Sequence, residues 1–199
     1  MNPLKLQSGD RFVFLGDSIT RADPGYSRLV ASMVNVRHPG TRVDWVYRGV
    51  SGNTVLDLVE RVERDVLRLN PQWTSVSIGI NDVWFRHQGG GGVPLDAFRG
   101  AYRTLLTTLN GAGIAVIALT PTVIGERLDE EPNQDLLAYA DVIREEARAL
   151  DVCLADVHAV FRAALHGAQP HPRLTADGIH MNLNGNVLLA DTLYHALLA

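Results

Sequence analysis

Short apolar runs of strand type alternate with longer amphipathic stretches along the whole chain. Few folds accept that alternation: it is the pattern of a parallel sheet covered by helices on both faces. Strands are expected over residues 11–15, 42–47, 74–80, 115–119 and 152–156, and helices over 26–36, 54–69, 95–112, 135–150 and 183–198. In the second helix Val55, Leu58, Val59, Val62, Val66 and Leu69 recur at three- and four-residue spacing, while Glu60, Arg61, Glu63, Arg64 and Arg68 take the other side. That spacing gives one face to pack on the sheet. Pro71 and the pair Pro39-Gly40 stand just past helix ends, where stop signals belong. With 199 residues the chain fills one core and is short for two, so one domain over 1–199 is expected.

Composition removes several classes of function. A net charge of -4, with no run of Lys or Arg, leaves no electrostatic footprint for nucleic acid. No stretch approaches the roughly 20 apolar residues that a membrane span needs, and residues 1–10 lack the apolar core of a secretory signal. The single cysteine, Cys153, lies in the apolar run Val152-Cys153-Leu154-Ala155 and gives no argument for an oxidising compartment. A soluble cytoplasmic protein is the expectation. His158 follows Asp156 by two residues, but the seven histidines form no ligand set with metal spacing, so neither metal nor other cofactor is expected. An amphipathic helix that faces a partner reads like one that faces the sheet, which leaves a homo-oligomer open.

The first strand, Phe12-Val13-Phe14-Leu15, is apolar throughout and delivers Gly16-Asp17-Ser18-Ile19-Thr20 to its carboxyl end, the edge at which open α/β sheets bind ligands. Ser18 is a candidate nucleophile there, although a serine in that position is also an ordinary N-cap. Three segments resist regular assignment: 81–94 with its run Gly89 to Gly92, 120–134, and 166–176. The first two follow strands three and four on the same edge as Ser18 and read as pocket walls or lids. The glycine run lacks the Gly-Lys-Ser/Thr of a phosphate loop.

A nucleophilic serine needs an imidazole to take its proton and a carboxylate to orient that imidazole. Asp177-Gly178-Ile179-His180 offers both, three residues apart across a glycine. Attack on a carbonyl also needs donors for the oxyanion. Arg48-Gly49-Val50-Ser51-Gly52-Asn53-Thr54 supplies Gly52, whose backbone N–H can come close, and Gly79-Ile80-Asn81-Asp82 supplies the Asn81 amide. Each motif has a structural reading of its own: Asp177 and Asn81 as caps, Gly52 as a turn glycine.

Together, and in this order, Gly16-Asp17-Ser18, Gly52, Gly79-Ile80-Asn81-Asp82 and Asp177-Gly178-Ile179-His180 resemble the four blocks of the SGNH (GDSL-type) hydrolases. The resemblance implies a three-layer α/β/α sandwich around a five-stranded parallel sheet, and ester hydrolysis through an acyl-enzyme. Carried over residue by residue, it makes Ser18 the nucleophile, His180 the base and then acid, and Asp177 its orienting partner. The N–H groups of Ser18 and Gly52, with the Asn81 side chain, become the oxyanion hole. The α/β-hydrolase elbow G-x-S-x-G is disfavoured by Thr20 where its second glycine would stand.

The stretches 48–55 and 78–84 are similar to those of the acetylxylan-esterase-like branch, which implies an acetyl ester or acetylated saccharide as substrate. Asp17 and Trp84 are the further substrate-site candidates. Asp17 reads as a carboxylate that holds the loop rather than as a second base. Trp84 either offers a flat face to a pyranose or fills the core beneath the glycine loop. One departure from the family is Met181, where proline usually follows the histidine. Two alternatives remain at this point: a thioesterase or lysophospholipase for longer acyl chains, and a flavodoxin-like binding module gripping phosphate through Ser18 and Thr20. Against the second stands Asp17, whose charge would repel a phosphate.

Overall fold

A computed structural model describes residues 3–166 and 172–198. Five strands, β1 (Arg11–Gly16), β2 (Asp44–Gly49), β3 (Trp73–Ser77), β4 (Ala115–Leu119) and β5 (Cys153–Ala155), form one sheet in the order β2-β1-β3-β4-β5, every pair parallel. Helices α2 (Tyr26–Arg37), α7 (Val157–His166) and α8 (Leu183–Ala196) pack together on one side, and α3 (Val55–Asp65), α5 (Leu95–Gly111) and α6 (Glu131–Ala149) on the other. Two shorter helices, α1 (Ser18–Arg21) and α4 (Ile80–His87), start at the carboxyl ends of β1 and β3. The expected three-layer sandwich is thus the fold. Phe12, Val13, Phe14 and Leu15 are fully buried, as a strand with neighbours on both edges and helices on both faces must be.

The departures from expectation have local causes. The strand expected over 74–80 stops at Ser77, because Gly79 adopts φ +120° and caps α4. Residues expected to be irregular from 81 onward are therefore helical as far as His87. The alternation of Val76, Ile78 and Ile80 reads as a strand, yet Ile80 and Val83, three residues apart, bury one face of a helix. Helix α6 begins at Glu131 rather than 135, since Pro132 sits in its first turn, where proline lacks nothing a helix requires. The stretch 54–69 divides at Val66, whose backbone leaves helical values, and Leu67–Leu69 forms a 3₁₀ turn ended by the left-handed Asn70. Helix α7 was not foreseen, although Val157, Phe161 and Leu165 recur every four residues. Of the segment 166–176, residues 167–171 lie outside the described residues.

Two glycines test how closely the site end of the sheet is built. A Cβ on Gly16 would fall on Thr20 Oγ1 and lie 2.5 Å from the Ser77 carbonyl oxygen, so α1 can close over β1 only above a bare Cα. A Cβ on Gly100, inside α5, would meet nothing within 4 Å. Gly16→Ala should therefore cost about 3 kcal/mol through overpacking. Gly100→Ala should add roughly 0.5–1 kcal/mol by relieving a helix of glycine. Denaturant unfolding of both variants checks the pair, and equal effects would refute the packing argument.

Candidate active site

The sheet order places a topological switch between β1 and β3: the chain leaves β1 toward β2 and returns to the opposite side with β3. Crevices at such points are where open α/β sheets hold ligands. Ser18 opens α1 directly after β1. Asp17 caps that helix, its Oδ1 accepting the Ile19 N–H at 2.9 Å, which fixes the loop so that Ser18 faces outward.

His180 arrives from 162 residues away. Its Nε2 lies 2.9 Å from Ser18 Oγ, and its Nδ1 lies 2.7 Å from Asp177 Oδ2. The other carboxylate oxygen of Asp177 accepts the N–H groups of Ile179 at 2.9 Å and His180 at 2.7 Å. Partial burial pushes the Asp177 carboxyl up, but these hydrogen bonds with the nearby imidazole outweigh it and hold the group at about 2. With an anion at Nδ1, that nitrogen carries the ring proton of neutral His180, and Nε2 is left as an acceptor facing Ser18.

This turn is pinned from beneath. Ala176 N–H donates to the His180 carbonyl at 2.8 Å and Asn182 N–H to the Leu174 carbonyl at 3.0 Å, forming a bridge between Thr175 and Met181. Neither bond uses the N–H of Met181, so the residue that usually is proline can be methionine without disturbing the turn. Glu126, in the loop after β4, accepts from the N–H of Leu174, the N–H of Thr175 and the Thr175 hydroxyl, each at 2.8 Å. Gly125 N–H donates to the Gly178 carbonyl at 2.6 Å. Sequence reasoning missed Glu126, because an acid in an irregular loop carries no spacing that marks its partner.

Gly52 adopts φ +79°, a backbone that glycine enters freely, in the loop after β2. Asn81, in the first turn of α4, donates one amide hydrogen to the Asn53 carbonyl at 2.9 Å and keeps a second. Ser18, Gly52, Asn81, Asp177 and His180 line one cleft of about 440 Å³ with Ser51, Trp84, Phe85 and Ile179. All five core site residues named from sequence are brought together there. Trp84 is half-buried against the core, and its remaining surface lines the cleft. Asp17 does not meet its expected place beside the substrate. Only 1% exposed, its side chain turns inward to cap α1 and stays behind the cleft. Ser51 and Ile179 were not singled out as cleft residues, although each adjoins a residue that was.

The model of the GDSL-like lipase/acylhydrolase family matches residues 14–188. The chain belongs to that family. It is a carboxylic ester hydrolase, which sets aside the reading as a phosphate-gripping binding module. An acetylxylan esterase of Geobacillus stearothermophilus is 30% identical over 205 residues, covering 94% of this chain and 93% of the relative. Crystal structures of catalytic mutants of an acetylxylan esterase from the same organism, with a serine, an aspartate or a histidine replaced by alanine, superpose with a TM-score of 0.90. They are 28% identical and cover 98% of this chain and 96% of that one. A hydrolase from the metagenome of Lake Arreo, 29% identical, superposes at 0.91 with 98% of each chain covered. No helix among the described residues is long and apolar enough to cross a membrane.

Two buried acids of this hydrolase lie behind the cleft. Burial pushes the Asp17 carboxyl up to about 6, against the Ile19 N–H and the nearby His180, which favour its charge. Asp82 is fully buried; one oxygen accepts the Val55 N–H at 3.0 Å and the other has no hydrogen-bond partner among the described residues. Burial, with the charge of Asp17 adding to it, pushes Asp82 up to about 7 from an ordinary 3.8. Between those values the folded chain binds more protons than the unfolded one, so Asp82 contributes stability that falls as pH rises through this window. The Asp177 window, from about 2 to 3.8, lies below it. Asp82→Asn should therefore flatten the loss of stability between about pH 5 and about pH 7.5 in urea unfolding. An unchanged slope would assign the pH dependence elsewhere.

Proposed function

We propose that the chain is a single-domain serine esterase that removes acetyl groups from a carbohydrate through an acyl-enzyme on Ser18. The observation that carries the reading is the continuous relay from Ser18 Oγ to His180 Nε2, 2.9 Å, and from His180 Nδ1 to Asp177, 2.7 Å, at the floor of a cleft that also holds Gly52 and Asn81. In the first step Ser18 Oγ attacks the ester carbonyl while His180 takes its proton, and Asp177 stabilises the imidazolium. The N–H groups of Ser18 and Gly52 and the free amide hydrogen of Asn81 receive the oxyanion. Collapse of the intermediate passes the proton from His180 to the departing sugar oxygen. Water, deprotonated by His180, then releases acetate from Ser18.

The replaced aspartate and histidine of the Geobacillus enzyme stand three residues apart, as Asp177 and His180 do, which supports these assignments. The substrate class rests on that relative and on the form of the cleft. The side chains of Asp177 and His180 are about half exposed, at 57% and 49%. A relay so open to solvent leaves room for the body of a large polar substrate beyond the ester. The large apolar surfaces at hand are Trp84, Phe85 and Ile179. These suffice to shield an acetyl group and to present one flat face to a pyranose.

Ser18→Ala should abolish turnover of acetylated xylooligosaccharides. Asn81→Ala should lower kcat by about 10²-fold to 10³-fold, with KM nearly unchanged. In a chain-length series of nitrophenyl esters the rate should peak at acetyl. A peak at eight carbons or more would overturn the acetyl assignment in favour of a longer-chain acylhydrolase, and full activity in Ser18→Ala would overturn the relay itself.

A further inference from the structure

The oxyanion donors named above come from three separate segments, the start of α1, the loop after β2 and the start of α4, and catalysis depends on the distances among them. One buried side chain touches the first two segments and reaches the third through a single intermediary. Arg61, on the inner face of α3 and 7% exposed, donates from Nη2 to the Gly16 carbonyl at 2.8 Å and to the Arg48 carbonyl at 3.0 Å. Its Nε donates to Asn53 Oδ1 at 2.7 Å, and its Nη1 pairs with Asp65 at 2.7 Å. Gly16 stands two residues before Ser18, and Asn53 directly follows Gly52. The Asn53 carbonyl, in turn, accepts the Asn81 amide at 2.9 Å.

We propose that Arg61 is a positioning residue of the oxyanion hole: its guanidinium fixes the spacing of the Ser18 N–H, the Gly52 N–H and the Asn81 amide. The inference rests on the serine-esterase reading and extends it to a group that never meets the substrate. A planar fork suits this task because its donors lie at fixed angles in one plane, so holding one segment orients the next. Lysine at this position keeps the charge and the pair with Asp65 but offers one nitrogen where three are used. The Gly16 carbonyl already accepts the Val50 N–H at 3.0 Å, so the end of the sheet persists without Arg61. What is lost is the tie between that end and the Gly52–Asn53 loop. A displacement of the donors affects the transition state, in which the oxyanion exists, and leaves binding of the neutral ester nearly as it was.

The test compares the wild type with Arg61→Lys and Asn53→Ala on an acetyl ester, with active sites counted by titration with a phosphonate that labels Ser18. Asn53→Ala removes the acceptor of Arg61 Nε and keeps the backbone carbonyl that holds Asn81, so it isolates one arm of the clamp. The expected result for Arg61→Lys is a kcat per titrated site lower by about 10-fold to 100-fold with KM within about twofold. Asn53→Ala should show the same split at about 3-fold to 10-fold, and the double variant should lose less than the product of the two. A purely structural role would lower the number of titratable sites or the unfolding midpoint and leave kcat per site unchanged; that outcome overturns the proposal. Ser18→Ala in parallel separates the two failures. If it is inactive while Arg61→Lys turns over normally, only the clamp is wrong; if it remains active, the esterase reading falls first.

Discussion

The carboxyl end of β1 is held from both sides, and the site depends on that restraint. Gly16 is in register with Gly49 of β2 and with Ser77 of β3, so the strand that carries Ser18 cannot shift without breaking two ladders. Its two neighbours diverge just beyond the point where their hydrogen bonding ends, one toward Gly52 and the other toward Asn81. The groups that surround Ser18 are thus set by sheet register rather than by the loops themselves. A change of one residue in the register of β1 would turn its side chains to the opposite faces and remove Ser18 from the crevice.

The other half of the site is built differently. Asp177 and His180 come from a segment with no place in the sheet, held by its own bridge and by hydrogen bonds from the loop after β4. Glu126 contributes three of these through one oxygen, a local network whose strength lies in charge assistance rather than in buried area. The consequence is a rigid turn on an exposed surface. The relay is precise while remaining open to solvent, a combination that a site buried in the core could not offer to a bulky substrate.

Much of this was legible in the sequence, and the reason differs from part to part. The five strands could be read because each is a short run with strand-type residues set between longer amphipathic stretches, β1 and β4 being almost wholly apolar. Ser18, Gly52 and Asn81 could be read because their chemical types follow the ends of β1, β2 and β3 in order, and Asp177 and His180 because they stand three residues apart just before the last helix. What could not be read depends on partners far away in the chain. Arg61 looks like one of several charges on the polar side of α3, since nothing local shows that Gly16, Arg48 and Asn53 converge beneath it. Asp17 was open to a substrate contact because the direction of its side chain is set by Ile19 and the first turn of α1. Helix α4 escaped because three alternating apolar residues fit a strand as well as a helix until Gly79 decides between them.

The two buried acids show how such a site carries an energetic cost close to its chemistry. Neither Asp17 nor Asp82 lies in the cleft, and burial disfavours the charge of both. An isolated buried carboxyl would be expensive, yet each does work that a neutral apolar residue could not: Asp17 caps the helix that presents Ser18, and Asp82 accepts the first N–H of α3, the helix that carries Arg61. The placement of Asp17 also brings it near the relay. The nearby His180 favours the ionised form of Asp17. His180 thus has one carboxylate in contact with its ring, Asp177, and a second carboxyl, Asp17, behind the loop. Asp17 makes no contact with the ring itself, since its Oδ1 is committed to the Ile19 N–H and its side chain stays behind the cleft.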